Sequence, residues 1–136
     1  MSATTEATDT AKPLSILAVD DDALVLMSTS AMLEDLGHTV FEATSGKQAL
    51  GILDGGAIVD LVITDQAMPD MSGLQLAQAV ESRWPGLPIV LATGYSERAQ
   101  TASDEGFTIL RKPYAASELH EALLEALRKR RAQVPA

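Results

Sequence analysis

An apolar run that ends in three carboxylates lies near the start of the chain, LSILAVDDD at positions 14–22. A similar arrangement returns in VDLVITD at 59–65, and two further apolar runs, PIVLATG at 88–94 and FTILRKP at 107–113, also end in polar residues. Short runs that are apolar nearly throughout are typical of strands buried on both faces of a parallel sheet. Together with the shorter TVFEA at 39–43, they predict five strands.

Stretches with helical periodicity separate the predicted strands. They lie at 23–36, about 46–53, 73–83, 97–104 and 116–130, and the fourth is short and weak. Five strands and five helices in strict alternation predict an α/β fold, because parallel strands need crossover connections. Right-handed crossovers then give a doubly wound five-stranded parallel sheet between two helical layers, a flavodoxin-like three-layer sandwich. Such sheets bind ligands beyond the carboxyl ends of their strands.

Length and composition limit the possible functions. The 136 residues predict one domain over 14–131, a disordered leader over 1–13 and a C-terminal tail over 132–136. The chain has no cysteine, which excludes disulfides and thiol chemistry, and a net charge of −9, which disfavours a nucleic-acid partner. No apolar run approaches the ~20 residues that span a bilayer, and the leader does not resemble a signal peptide. We therefore expect a cytoplasmic protein without a membrane partner.

Polar side chains of five residues follow four of the predicted strands at the same edge of the sheet: Asp20, Asp21, Asp65, Thr93 and Lys112. Carboxylates that lie close together repel, so at least one pKa is expected to rise and a hard cation such as Mg²⁺ is expected to relieve the repulsion. A carboxylate can also act as a nucleophile toward phosphorus. Lys112 and Thr93 would then neutralise and hydrogen-bond the phosphoryl oxygens.

The segments that carry these residues resemble the receiver domain of two-component response regulators. The resemblance covers about residues 14–131. It implies that Asp65 is the phosphoacceptor, that Asp21 binds Mg²⁺ directly and that Asp20 holds a metal-bound water. It also implies metal binding by Asp65 and by the backbone carbonyl of Ala67, and places Thr93 and Lys112 beside the phosphoryl group. The Lys112–Pro113 peptide bond is expected to be cis, as is usual in the family.

One position departs from the usual family pattern. Receivers typically carry Tyr or Phe three residues before the lysine, as a switch coupled to the threonine, but this chain has Ile109 there. The chain is therefore more similar to stand-alone receivers with a Phe-Ala-Thr-Gly signature, which here reads LATGY at 91–95. The resemblance implies that phosphorylation orders a mobile region around 94–104. Tyr95 and Tyr114 are expected at the rim of the site, as partner contacts or as cover for apolar surface.

The implied partners are a sensor histidine kinase, a histidine phosphotransfer protein and an output protein, and the chain is expected to be a single-domain switch or relay element rather than an enzyme. Two alternatives stay open. One is a phosphatase or phosphotransferase with an aspartate nucleophile at the first strand, which would need Asp-x-Asp followed by Thr or Val, and a cap domain, whereas DDDA at 20–23 leads directly into a predicted helix. The other is a receiver-like module that has lost phosphorylation. His38 and His120 lack metal-ligand spacing and are expected to be solvent-exposed.

Overall fold

The computed structural model describes residues 13–94 and 106–133, with side chains through Lys129. Its strands are β1 (Ser15–Val19), β2 (Thr39–Ala43), β3 (Leu61–Asp65), β4 (Ile89–Thr93) and β5 (Thr108–Arg111). The helices of the described ranges are α1 (Ala23–Asp35), α2 (Gly46–Asp54), α3 (Gly73–Arg83) and α4 (Ala116–Gln133). The predicted helix at 97–104 and most of the predicted leader and tail lie outside the described residues.

All five strands pair in parallel, in the order β2-β1-β3-β4-β5. This confirms the predicted doubly wound sheet, with four helices rather than five in the described residues. The chain leaves β1 toward β2 on one side and returns to β3 on the other. The switch point therefore lies between the carboxyl ends of β1 and β3, where open α/β sheets bind their ligands.

Two apolar clusters cover the two faces of the sheet. One contains Leu17, Val62 and Leu91 of the strands, with buried residues of α2 and α3. The other contains Ile16, Ile63 and Val90, with buried residues of α1 and α4. Alternate residues of each strand thus face opposite helical layers, which is why the strands are apolar nearly throughout. Among the described residues, no helix is long and apolar enough to cross a membrane.

His38 lies just before β2, and the prediction that it is exposed is wrong, because only 7% of it reaches solvent. Its Nδ1 accepts a hydrogen bond from the Leu14 backbone N–H at 3.0 Å, so the turn before β2 is tied to the start of β1. Nε2 is buried without a partner among the described residues. His120 of α4 is only partly buried as a residue, but its Nδ1 is also buried without a hydrogen-bond partner among the described residues.

Burial, with a smaller contribution from His120, lowers the pKa of His38 below its usual 6.5. Since protonation would also break the bond from Leu14, the unfolded chain takes up a proton at higher pH than the folded protein does. The contribution of His38 to the free energy of unfolding should therefore be constant above about pH 7 and fall below it, by up to about 1.4 kcal/mol per pH unit in the window below 6.5. Urea unfolding at several pH values checks this. His38→Gln should flatten the slope, and an unchanged slope would contradict the assignment.

Candidate functional site

Three carboxylates meet at the switch point. Asp20 directly follows β1 and Asp65 ends β3, and these strands are adjacent, with Val19 opposite Thr64. Asp20, Asp21 and Asp65 each offer an oxygen, and these oxygens lie within 4.8 Å of one another. Asp20 and Asp65 are only 6% exposed, whereas Asp21 faces solvent. The fold therefore brings residues 20, 21 and 65 together, as the sequence predicted.

The three consecutive aspartates divide into two roles. Asp22 is the N-cap of α1, and its Oδ1 accepts hydrogen bonds from the N–H groups of Leu24 and Val25 at 3.0 and 3.3 Å. Asp20 Oδ1 accepts from the N–H of Asp22 at 2.9 Å, which turns its Oδ2 toward the centre of the site. Helix capping therefore explains one member of the triplet, and the other two remain available for binding.

Lys112 supplies the positive charge of the site. Its Nζ lies 2.5 Å from Asp65 Oδ1 and 3.7 Å from Asp20 Oδ2. Its backbone N–H donates to the Thr93 carbonyl at 2.8 Å, which holds the residue at the end of β5 beside the end of β4. The peptide bond to Pro113 is cis, as the sequence predicted. One ammonium thus faces two buried carboxylates.

The pKa values follow from burial and from this pairing. Burial raises the pKa of Asp20, with a smaller contribution from the charges of Asp21 and Asp22, and the Asp22 N–H and Lys112 only partly oppose the shift. Burial alone would lower the pKa of Lys112, but the hydrogen bond and charge of Asp65 outweigh it, so the pKa is raised. Lys112 is therefore protonated at neutral pH. The uncompensated charge of the site is negative, which favours a bound cation.

Thr93 ends β4 next to this cluster. It is 1% exposed, and its Oγ1 has no hydrogen-bond partner among the described residues. A buried hydroxyl without a partner is costly, so the position is suited to a group that arrives with a free acceptor. Ala67 lies in the loop two residues after Asp65 and is exposed.

Two residues in the connection from β3 to α3, Gln66 and Gly73, have structural roles that the sequence reasoning did not identify. Gln66 Oε1 accepts from the Leu74 N–H at 2.7 Å, and its backbone carbonyl accepts from the Gly73 N–H at 2.9 Å. Gly73 lies so close to the end of β3 that a Cβ there would meet the Asp65 carbonyl oxygen at 2.3 Å and Gln66 Cα at 2.8 Å. A glycine immediately after the helix-capping Ser72 is the signal that could have revealed this close approach.

The Gly73→Ala variant should destabilise the fold and disturb Asp65, because the atoms in its way belong to the backbone and cannot rotate aside. We expect a loss of about 1–3 kcal/mol of unfolding free energy, typical of overpacking. Gly51→Ala is the matched control. Its Cβ would meet nothing within 4 Å, and it should raise stability by roughly 0.5–1 kcal/mol by favouring the helix. Urea unfolding compares the two, and equal stabilities would contradict the packing.

Comparisons with known proteins agree with this geometry. Residues 16–124 match the family described as the response regulator receiver domain. The chemotaxis protein CheY of Pseudomonas aeruginosa is 34% identical over 118 residues, which cover 81% of this chain and 93% of CheY. A receiver domain structure from Clostridium thermocellum superposes with a TM-score of 0.81 at 30% identity, covering 89% of this chain and 99% of that one.

Other relatives are much longer than this chain. The sensor kinase CckA of Brucella abortus is 34% identical over 128 residues, which cover 91% of this chain but 14% of CckA. The match to the transcriptional regulatory protein GlrR of Escherichia coli covers 27% of that protein. The shared part is in both cases one domain. The chain therefore belongs to the response regulator receiver domain family, and shares its fold and its phosphoryl-accepting role in two-component signalling.

Proposed function

We propose that Asp65 is the residue of this chain that accepts the phosphoryl group, with Asp20, Asp21, Asp65 and the Ala67 carbonyl holding Mg²⁺ beside it. The observation that carries the proposal is the buried Asp65 carboxylate, held 2.5 Å from Lys112 within a group of three carboxylates. The donor set fits the metal, because Mg²⁺ prefers hard oxygen ligands and is usually held by one or two carboxylates plus phosphate oxygens.

The transfer itself needs a nucleophile and neutralised charge. An oxygen of the Asp65 carboxylate attacks the phosphorus of a phosphohistidine, the P–N bond breaks, and the imidazole leaves with the electron pair of that bond. Lys112 moves from the carboxylate to a phosphoryl oxygen, and the buried Thr93 hydroxyl donates a hydrogen bond to another. Bound Mg²⁺ would supply positive charge to the same oxygens. Each of these groups lies at the carboxyl edge of the sheet.

The phosphatase alternative would use Asp20 as nucleophile. Its support is weaker for two reasons. Asp20 Oδ1 already accepts a hydrogen bond from the Asp22 N–H, and the chain continues from β1 directly into α1 with no cap domain inserted between them. A module that had lost phosphorylation has no specific observation in its favour, since the acidic cluster, Thr93 and Lys112 are all retained. We therefore propose a signalling role without turnover of a substrate.

The partners are part of the same proposal. The phosphoryl donor would be a sensor histidine kinase or a histidine phosphotransfer protein in the cytoplasm, and the output would pass to another protein. Membership of the Phe-Ala-Thr-Gly group stays a prediction, and most of the region expected to become ordered, 94–104, lies outside the described residues. Ile109 is partly buried against the α2 and α3 cluster and carries no polar atom.

Intact mass measurement after incubation with acetyl phosphate tests the proposal. The wild type should gain one phosphoryl group with Mg²⁺ and none with EDTA. Asp20→Asn should still form the adduct, at a reduced rate, because that residue supports the metal rather than attacking phosphorus. An Mg²⁺-independent adduct would contradict the proposed metal site. An adduct that persists in Asp65→Asn but vanishes in Asp20→Asn would contradict the phosphoacceptor assignment and favour the phosphatase alternative.

A further inference from the structure

A tyrosine beside the site is hydrogen-bonded across the molecule. Tyr114 follows Lys112 and Pro113, and its hydroxyl lies 2.7 Å from Thr29 Oγ1, 85 positions away in the sequence. Thr29 is 6% exposed and lies in the middle of α1, so the bond connects the loop after β5 to the helix that follows β1. A partly buried hydroxyl pair of this kind helps to fix the relative position of the two segments.

The same tyrosine borders the acidic cluster. Asp20, Asp65, Thr29 and Tyr114 together line a small cavity below the carboxyl edge of the sheet. Burial raises the pKa of the Tyr114 hydroxyl, against the opposing effects of Thr29 and Lys112. The group is therefore protonated at neutral pH and remains a hydrogen-bonding hydroxyl.

The two segments joined by the Tyr114–Thr29 hydrogen bond each contact the carboxylates of the site as well. At the amino end of α1, the N-cap residue Asp22 donates its backbone N–H to Asp20 Oδ1. In its middle, α1 is held by Tyr114 through Thr29. Lys112, two residues before Tyr114, pairs with Asp65 and Asp20. A displacement of Lys112 therefore has a short covalent path to Tyr114, and proline at position 113 limits the backbone rotation that could absorb it.

We propose that Tyr114 is a positioning residue whose hydrogen bond to Thr29 holds the Lys112 segment against α1 and carries the movement of Lys112 to that helix when Asp65 is phosphorylated. The inference rests on the proposed function, and it names the structural element that responds. It also gives this chain a polar coupling on the α1 side of the sheet, whereas Ile109 packs on the α2 and α3 side and has no hydroxyl. The affected surface is α1, which begins three residues after Asp20.

Backbone amide shifts test the coupling, with beryllofluoride and Mg²⁺ as the phosphoryl mimic on the full chain. In the wild type, the mimic should shift the amides of Asp65 and Lys112 and those of α1 around Thr29. In Tyr114→Phe, which removes one hydroxyl, the shifts at residues 65 and 112 should remain and those of α1 should be lost. Persistent α1 shifts in Tyr114→Phe would overturn the inference. Absence of any shift at Asp65 in the wild type would overturn the proposed function as well.

Variants at the other end of the bond provide the matched controls. Thr29→Val should behave as Tyr114→Phe does, whereas Thr29→Ser, which keeps the hydroxyl, and Ser28→Ala, at an exposed neighbour, should behave as wild type. The acetyl phosphate reaction should slow by about threefold to tenfold in Tyr114→Phe and in Thr29→Val, because Lys112 is less well positioned in both variants. The double variant should be no slower than either single variant, since one bond is lost in both. Additive losses would overturn the inference.

Discussion

The Asp65→Asn variant is expected to form no phosphoryl adduct with acetyl phosphate and Mg²⁺, while the wild type is fully modified under the same conditions. The amide that replaces the carboxylate has nearly the same shape, so the buried end of β3 should keep its packing. It has no anionic oxygen to attack phosphorus, however, and it removes one ligand of the proposed metal site. Intact mass gives the adduct, and circular dichroism gives the fold.

Asp70→Asn is a suitable control for this variant. Asp70 lies in the same loop after β3, is exposed, and has a φ of 69°, a left-handed conformation that asparagine adopts readily. It should be phosphorylated as efficiently as the wild type. If the folded Asp65→Asn protein forms an adduct at a stoichiometry near that of Asp70→Asn, the phosphoacceptor lies elsewhere in the chain.

The Lys112→Met variant is expected to show two effects of opposite sign. Phosphorylation by acetyl phosphate should slow by about 10²–10³-fold, the usual cost of removing one preorganised donor from a developing negative charge. Mg²⁺ should bind more tightly, because the ammonium at 2.5 Å from Asp65 and 3.7 Å from Asp20 no longer competes for the carboxylates. Titration calorimetry measures the metal affinity, and timed mass spectra measure the reaction.

The metal-free Lys112→Met protein should also be less stable. Its Asp65 and Asp20 carboxylates remain buried but lose their counter-ion, at a cost of about 1–3 kcal/mol in unfolding free energy after allowance for solvent screening of the partly exposed lysine. Lys47→Met, at an exposed position of α2, should change stability by less than about 0.5 kcal/mol. Unchanged reaction rate and metal affinity in Lys112→Met would show that Lys112 takes no part in the site.

Sequence periodicity was enough to predict the parallel α/β architecture and the strand ends at which the candidate site residues lie. Alternation of apolar runs with helical periodicity is a local property, so it predicted the strand ends from which Asp20, Asp65, Thr93 and Lys112 project. The parallel sheet then brings those ends together whatever the details of packing, because parallel strands all end at one edge. The cis bond before Pro113 followed from the family resemblance.

The contacts that position these residues became visible in the tertiary structure alone. The sequence placed Asp20 and Asp21 of the triplet 20–22 at the site, and the start of α1 adds that Asp22 is the N-cap of that helix and that its N–H holds Asp20. His38, predicted to be exposed, is buried because β1 and β2 meet beside it. The hydrogen bond between Tyr114 and Thr29 joins segments that lie 85 positions apart in the chain. Such contacts leave no periodic or local signal, because they depend on how the helices pack on the sheet.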